Sequence, residues 1–317
     1  MNNKQYRISL IIPNYNGVSL LKKNLSNNIQ YFDETIIVDD ASTDESVAFI
    51  NQTIQQLNKS AKDKKVILVQ NESNRGFSST VNRGVKKATG DLVLLLNTDV
   101  CFEKDPGNAI ISHFEKNDDL FAVGFLDKSI EGSIVVKRGR GLARWEKGFL
   151  LHTRGEVNKK DTFWVSGGSS VFRKQIWDKL GGMNELYNPF YWEDIDLSYR
   201  ARKSGYSLYY DPSILVTHEH DKGAIKSDYT SAAITAISYR NQILFVWLNI
   251  TDAAFIRQHI VRLISLTLSS IMQGDTKFLR GLFGALMRFP ASRIARSENK
   301  KLFVRKDKDL IHSTFSA

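Results

Sequence analysis

Short apolar runs rich in β-branched residues recur through the first 125 residues of the chain. RISLIIP (7–13), ETIIVDD (34–40), KVILVQ (65–70), DLVLLLNTDV (91–100) and LFAVGFL (120–126) each predict a buried strand. Segments with helical spacing separate them: VSLLKKNLSNNI (18–29), ASTDESVAFINQTIQQL (41–57), GFSSTVNRGVKKATG (76–90) and PGNAIISHFEKN (106–117). The second of these opens with capping chemistry at Ser42, Thr43, Asp44 and Glu45. Strand and helix alternating through short connections predict βαβ units and an α/β fold, its mostly parallel central sheet covered on both faces.

In such sheets ligands bind at the carboxyl ends of the strands. Polar residues gather there: Asn14 to Asn16 after the first strand, Asp39 and Asp40 after the second, Asn97 and Asp99 after the fourth. These side chains suit ribose, base or metal. No glycine-rich phosphate fingerprint follows the first strand, which excludes an ordinary dinucleotide fold and a P-loop enzyme.

The pattern loosens over residues 126–162, where glycines at 132, 139, 141, 148 and 155 predict a loop-and-hairpin insertion lying over the site. Three dense segments follow: FWVSGGSSVFRK (163–174), YNPFYWEDIDLSYRARKSG (187–205) and YYDPSILVTHEH (209–220). Glu193, Asp194 and Asp196 stand just after Tyr191 and Trp192, and Asp194, Leu197 and Ala201 follow helical spacing. The acids therefore open a helix, where its dipole favours negative charge. A strand-like run then carries His218 and His220. By spacing alone this is equally a capped helix with surface histidines or the parts of a reaction site. From about residue 228 the chain is helical, with Phe255, Ile256, Ile260, Leu263, Ile264 and Ile271 near one face, as in amphipathic helices that either pack against the preceding domain or lie on a membrane interface.

Composition adds three points. One cysteine, Cys101, excludes an intrachain disulfide framework, fits a reducing compartment, and reads as packing after an apolar strand. The N-terminal residues carry no secretory-type apolar segment, and no run of 18 apolar residues predicts a spanning helix. The expected location is cytoplasmic or peripheral on the inner face of the cytoplasmic membrane. The formal charge of +10 is local: residues 277–308 hold ten basic residues against two acids, an excess of eight. Such a segment suits an anionic membrane surface; nucleic acid is set aside, because no aromatic–basic platform or known motif accompanies the charge.

In order and spacing, IIPNYNG, IIVDDASTDES, NRGFSSTVNRGVKKATGDLVLLLNTDV, SGGSSVFRK, YWEDIDLSYRARKSGY and DPSILVTHEH closely resemble the inverting glycosyltransferases of family two, which have the GT-A fold. The resemblance runs from about residue 8 to 220 and more weakly into YRNQILF (239–245). Its nearest branch is the rhamnosyltransferase-like enzymes of bacterial cell-surface polysaccharide. It implies a catalytic domain over 1–225, with a donor half of about 1–125 and an acceptor half of about 126–225. Residues 226–317 would form an amphipathic, basic helical extension.

The resemblance also implies roles. Pro13, Tyr15, Asn16, Asp39, Asp40, Asn74, Arg75, Asn82, Asn97 and Thr98 would bind a nucleotide-diphospho-sugar donor carrying UDP, dTDP or GDP. Asp99 and His218 would hold a divalent cation, Mg²⁺ or Mn²⁺, since a hard cation takes oxygen ligands. Asn97 stands where the family's metal motif has its first acid, which implies weak metal binding dependent on diphosphate. Asp194 would be the base for an acceptor hydroxyl, Glu193 would orient base or acceptor, and Asp196 is expected on the helix surface. Gly167, Gly168 and Trp192 would meet the acceptor, a growing glycan or lipid-linked sugar. Two competitors share the architecture. A nucleotidyltransferase would want a Gly-rich basic loop after the first strand, where PNYNG stands; a non-catalytic homologue would be favoured by loss of Asp99, Asp194 or His218, all present.

Overall fold

The computed structural model describes residues 6–60, 64–219 and 228–312. The N-terminal half follows the expected alternation: β1 (Ile8–Asn14), α1 (Val18–Ile29), β2 (Glu34–Asp39), α2 (Ser46–Ser60), β3 (Lys65–Gln70), α3 (Phe77–Lys87) and β4 (Leu92–Leu96). Next come β5 (Val100–Phe102), α4 (Gly107–Lys116), β6 (Leu120–Glu131), β7 (Ile134–Arg138), β8 (Gly141–Glu146) and β9 (Phe149–Arg154). Strand β10 (Ser169–Arg173), α5 (Lys174–Leu180), α6 (Glu193–Lys203) and β11 (Ser207–Glu219) complete the sheet region. Five helices end the described chain: α7 (Ser231–Asn249), α8 (Ala253–Gln273), α9 (Thr276–Met287), α10 (Phe289–Leu302) and α11 (Asp307–His312).

The central sheet runs β3-β2-β1-β4-β10-β6-β11-β5, with β7 added beside β6. β1, β2, β3 and β4 pair in parallel, as do β6 and β11, whereas β10 and β5 enter antiparallel. The sheet is thus mixed α/β with mostly parallel strands, helices cover it, and the apolar runs of β2 and β4 are fully buried, whereas the edge strand β3 is only partly so.

Two features depart from the sequence reading. DLVLLLNTDV is not one strand: it breaks after Leu96, Val100 N–H closes a turn onto the Asn97 carbonyl at 3.1 Å, and β5 restarts elsewhere in the sheet. Asn97, Thr98 and Asp99 occupy that corner, where Asn97 N–H donates to the Gly168 carbonyl at 2.9 Å and the Asp99 carbonyl accepts from Glu219 N–H at 3.1 Å. Residues 126–162 do form a hairpin (β8–β9), but it packs beside α6 and α7 in an apolar cluster with Phe149, Leu150, Tyr199 and Phe245.

That cluster is the third of the molecule. The first two fill the two faces of the sheet, and the third joins Trp192, Ile195 and Tyr199 to Ile243–Ile250 of α7 and its end. Asp196 belongs to its polar lining and is no surface residue. Fully buried, it accepts from Tyr187 Oη (2.9 Å), Asn249 Nδ2 (2.6 Å) and Arg200 Nε (2.7 Å). The i,i+4 pair with Arg200 is visible in sequence; its burial comes from α7. Asp307, counted within the basic tail, is likewise buried. It pairs with Lys203 and accepts from Tyr199 Oη (2.5 Å) and the N–H groups of Thr251 and Asp252 (2.6 and 2.7 Å). The C-terminal helices are thereby tied to α6.

The amphipathic face expected on α8 divides in two. Phe255, Ile256 and Leu263 pack against the third cluster, whereas Ile260, Ile264 and Ile271 face outward.

Candidate active site

A cleft of about 330 Å³ opens at the carboxyl ends of β1, β2 and β4, within the range of small-molecule sites. One wall comes from strand ends: Pro13 to Gly17, Asp40, Asn97, Thr98 and Asp99, with Asn74, Gly76, Phe77 and Thr80 from the start of α3. The facing wall is Ser166, Gly167 and Gly168 before β10, then Pro189, Phe190, Tyr191, Glu193 and Asp194 at the head of α6. Asp228 and Tyr229, which sequence reasoning passed over, complete the rim. No residue of 126–162 lines it, so the insertion does not lie over the cleft.

Twelve of the seventeen predicted positions meet in this wall: Pro13, Tyr15, Asn16, Asp40, Asn74, Asn97, Thr98, Asp99, Gly167, Gly168, Glu193 and Asp194. Asp39, Arg75, Asn82, Trp192 and His218 do not. Asp39 is occupied inside the protein: its carboxylate accepts from Asn14 Nδ2 (2.7 Å), Ser42 Oγ (2.6 Å) and Ser42 N–H (2.9 Å). Asn82 holds the Met183 backbone, donating to its carbonyl at 2.8 Å and accepting from its N–H at 2.9 Å. Arg75 is exposed, and its contribution is a backbone N–H donated to Asp40 at 2.9 Å.

Asp40 is the acid that reaches the cleft. Arg75 and Gly76 N–H groups (2.9 Å each) and Asn71 Nδ2 (2.6 Å) fix it, the last from a residue not singled out in the sequence. Asn16 adopts a left-handed backbone (φ 49°), and its side chain accepts from Thr43 N–H (2.8 Å) and Asp44 N–H (3.3 Å), locking the two strand-end loops together. Gly168 permits close approach: a Cβ there would sit 2.5 Å from Asn97 Nδ2.

Asp99 meets His218, whose Nε2 lies 3.2 Å from Asp99 Oδ2 while Nδ1 lies 2.8 Å from Asp127 Oδ2. Burial alone would favour neutral imidazole, but the Asp127 and Asp99 carboxylates outweigh it and lift His218 to about 9. Asp127, one acid in a strand with no sequence signal, is the clamp. The other Asp99 oxygen, Oδ1, is buried without a partner, as is Oε2 of Glu193. The free Asp99 oxygen fits a divalent cation, and His218 could join it as a ligand only by giving up its Nε2 proton, since imidazolium has no lone pair. Among the described residues no group of three His, Cys, Asp or Glu forms a complete cation cage. The remaining ligands would have to come from substrate.

The facing wall is strained. Tyr191 (φ 73°) and Trp192 (φ 78°) are consecutive left-handed residues immediately before α6, at a cost of about 1–3 kcal/mol each. Asp194 accepts from Gly167 N–H (3.2 Å) and Ile195 N–H (2.8 Å). Burial raises its carboxyl nonetheless, those N–H groups working against the rise. Glu193 is lifted well above the usual carboxylate range, by burial first and then by the Asp194 charge beside it. Two adjacent acids that resist ionisation hold a proton more readily than solvated carboxylates do. His152, edge-on to Trp192 at 5.3 Å, is lowered by burial while the Asp194 charge works against that.

A cleft at parallel strand ends, faced by a carboxylic pair, is a candidate ligand site on an α/β sheet. The chain belongs to glycosyl transferase family 2, whose model matches residues 9–181. It is 26% identical over 229 residues to the poly-beta-1,6-N-acetyl-D-glucosamine synthase of Staphylococcus aureus (strain COL), covering 65% of this chain and 48% of that protein. The chain thus spans about half the length of that curated relative. The fold is shared with S. aureus TarS 1–349 in complex with UDP-GlcNAc (TM-score 0.56, 15% identity, 97% of this chain and 91% of that one). It is shared also with GalNAc-T7 solved with UDP, GalNAc and Mn²⁺ (TM-score 0.61, 15% identity, 78% and 48%).

Proposed function

We propose that the protein moves one sugar, with inversion, from a nucleotide-diphospho-sugar to a hydroxyl of a growing cell-surface glycan or lipid-linked acceptor. The observation that carries this reading is the meeting, across one cleft, of the strand-end polar wall and the raised Glu193–Asp194 pair. Asp40, Asn16 and Tyr15 would seat the nucleoside of a UDP, dTDP or GDP sugar. Asp194 would take the acceptor proton as the acceptor oxygen bonds to the anomeric carbon and the bond to diphosphate breaks. Its raised affinity for a proton makes it a better base than a solvated aspartate. Asp99 and His218 would hold Mg²⁺ or Mn²⁺, which when bound neutralises charge on the departing diphosphate. Asp39 and Asn82 would act by fixing the loops around the donor, and Gly167 and Gly168 by letting the sugar approach backbone.

Calorimetric titration with UDP, dTDP and GDP, with and without Mn²⁺, tests the donor site. One diphosphate should bind in a metal-dependent way, and Asp99→Ala should weaken it. Failure of all three to bind would overturn the assignment.

We extend the reading to an anionic membrane surface beneath the C-terminal helices. No described helix is long and apolar enough to cross a membrane. Yet α8 and α9 expose Val261, Leu268, Met272, Phe283 and Met287, each more than half accessible. Over residues 253–312 nine exposed cations stand against two exposed acids, Glu298 and Asp309. An apolar face ringed by cations repels a second copy of itself and attracts anionic lipid. Sedimentation with vesicles of phosphatidylcholine alone or with phosphatidylglycerol added tests this. Binding should need the anionic lipid and be lost in Phe283→Asp/Met287→Asp. Equal binding to both vesicles, or a dimer in solution that the same variant dissociates, would overturn it.

A further inference from the structure

The sequence YRNQ at 239–242 lies in the helical region, and the strongest polar arrangement outside the cleft is built on its middle two residues. Asn241 is fully buried, and its Nδ2 faces three main-chain carbonyls of one loop: Tyr187 (3.0 Å), Phe190 (2.9 Å) and Tyr191 (2.8 Å). Arg240 Nη2 reaches the Tyr187 and Asn188 carbonyls at 3.0 and 2.7 Å. Arg240 Nε donates to Asn241 Oδ1 at 2.8 Å, which fixes the amide so that its NH₂ can only point at the loop. Helix α9 backs the arrangement, since a Cβ at Gly284 would lie 3.1 Å from Arg240 Cδ.

The loop so held is the one that needs holding. It contains the left-handed pair Tyr191 and Trp192, and the next two residues are Glu193 and Asp194. A backbone that turns several carbonyls to one side leaves them unpaired when buried, unless concentrated donors meet them. An amide and a guanidinium coupled to each other supply that concentration. We infer that Arg240 and Asn241 are positioning residues for transfer: from the C-terminal helices they hold the Tyr187–Trp192 loop in the one conformation that presents Asp194 to the cleft. The inference rests on the reading of Asp194 as the base.

Two variants test it, Asn241→Ser and the milder Arg240→Lys, the second serving if the first does not fold. Three readouts are taken on each. Hydrogen exchange over residues 188–194 should quicken at least tenfold. Turnover, followed as release of nucleoside diphosphate from the nucleotide sugar in water, should fall ~10- to 100-fold, the scale of an ångström-sized misplacement. Affinity for the diphosphate that binds the wild type should stay within about threefold, because Arg240 and Asn241 bond to the loop itself and reach the strand-end wall only at second hand, through Pro189 and Asn188 on Phe77 and Ser78 N–H. Unchanged exchange overturns the clamp whatever the activity. Faster exchange with full turnover overturns the positioning role. A wild type that turns over no nucleotide sugar defeats the underlying transferase reading instead, and the exchange result still decides whether these residues hold the loop.

Discussion

Asp194→Asn is the substitution that bears most directly on the chemistry. The side chain keeps its size and one acceptor oxygen but puts an NH₂ where Gly167 or Ile195 N–H now donates. One of those contacts becomes donor against donor, a loss of about 1 kcal/mol in stability. The kinetic loss should be far larger. Removing a general base costs about 10²- to 10⁴-fold, or roughly 3–5 kcal/mol on the barrier. The assay is the initial rate of nucleoside diphosphate release across pH, with a nucleotide titration and a thermal melt alongside. In the wild type the rate should climb as pH rises through the raised Asp194 value, so the acid limb lies above that of an ordinary aspartate. In the variant the limb should vanish while nucleotide affinity holds. Stability has the opposite pH sense: a raised acid favours the fold while protonated and disfavours it once pH passes its folded value. The variant's melting temperature should therefore depend less on pH. A variant retaining more than about a tenth of the wild-type rate would refute Asp194 as base.

Asp196→Ala should cost about 3–5 kcal/mol in chemical denaturation, since Arg200 would be left buried without its carboxylate. A loss under about 1 kcal/mol would show that the pair is idle. Glu34 is held at about 2: burial opposes its ionisation, but Lys65, Ser9 and Thr89 outweigh that. Its contribution is present above the ordinary glutamate range and is lost as pH falls towards 2, so Glu34→Gln should destabilise by about 2 kcal/mol at pH 7 and flatten the acid limb of the melting curve. Gly168→Ala would drive a methyl into Asn97 and should weaken nucleotide affinity about tenfold, with a stability loss of about 1–3 kcal/mol, readable in the same titration and melt.

The strand ends were legible because parallel βαβ units place polar residues at one edge whatever the side-chain details. What sequence could not resolve was which of two adjacent acids faces the ligand. Asp39 and Asp40 look alike along the chain, and the distinction is made by Asn14 and Ser42, which take Asp39 for the fold. The polar corner at Asn97–Asp99 was legible, but not the restart of the chain as β5, whose partner β11 lies more than a hundred residues on. Asn82 sits on a helix face that meets Met183, a contact across 101 positions. Asp196 was misplaced for the same reason: its i,i+4 arginine reads as a solvated pair until α7 covers it.

The two walls of the cleft draw their rigidity from different parts of the chain. The strand-end wall hangs from β1, β2 and β4, whose side chains fill the two sheet-facing cores. The facing wall hangs from α6, which packs in the third cluster with α7 and is anchored to α11 by Asp307, Lys203 and Tyr199. The family model ends at residue 181, before α6 begins, so it takes in the strand-end wall and Gly167–Gly168 but not the Glu193–Asp194 pair. The acid that would do the chemistry depends instead on helices where that match has already stopped. Loosening 231–312 should therefore cost transfer before it costs nucleotide binding, and a change of acceptor could be accommodated there without disturbing the donor site.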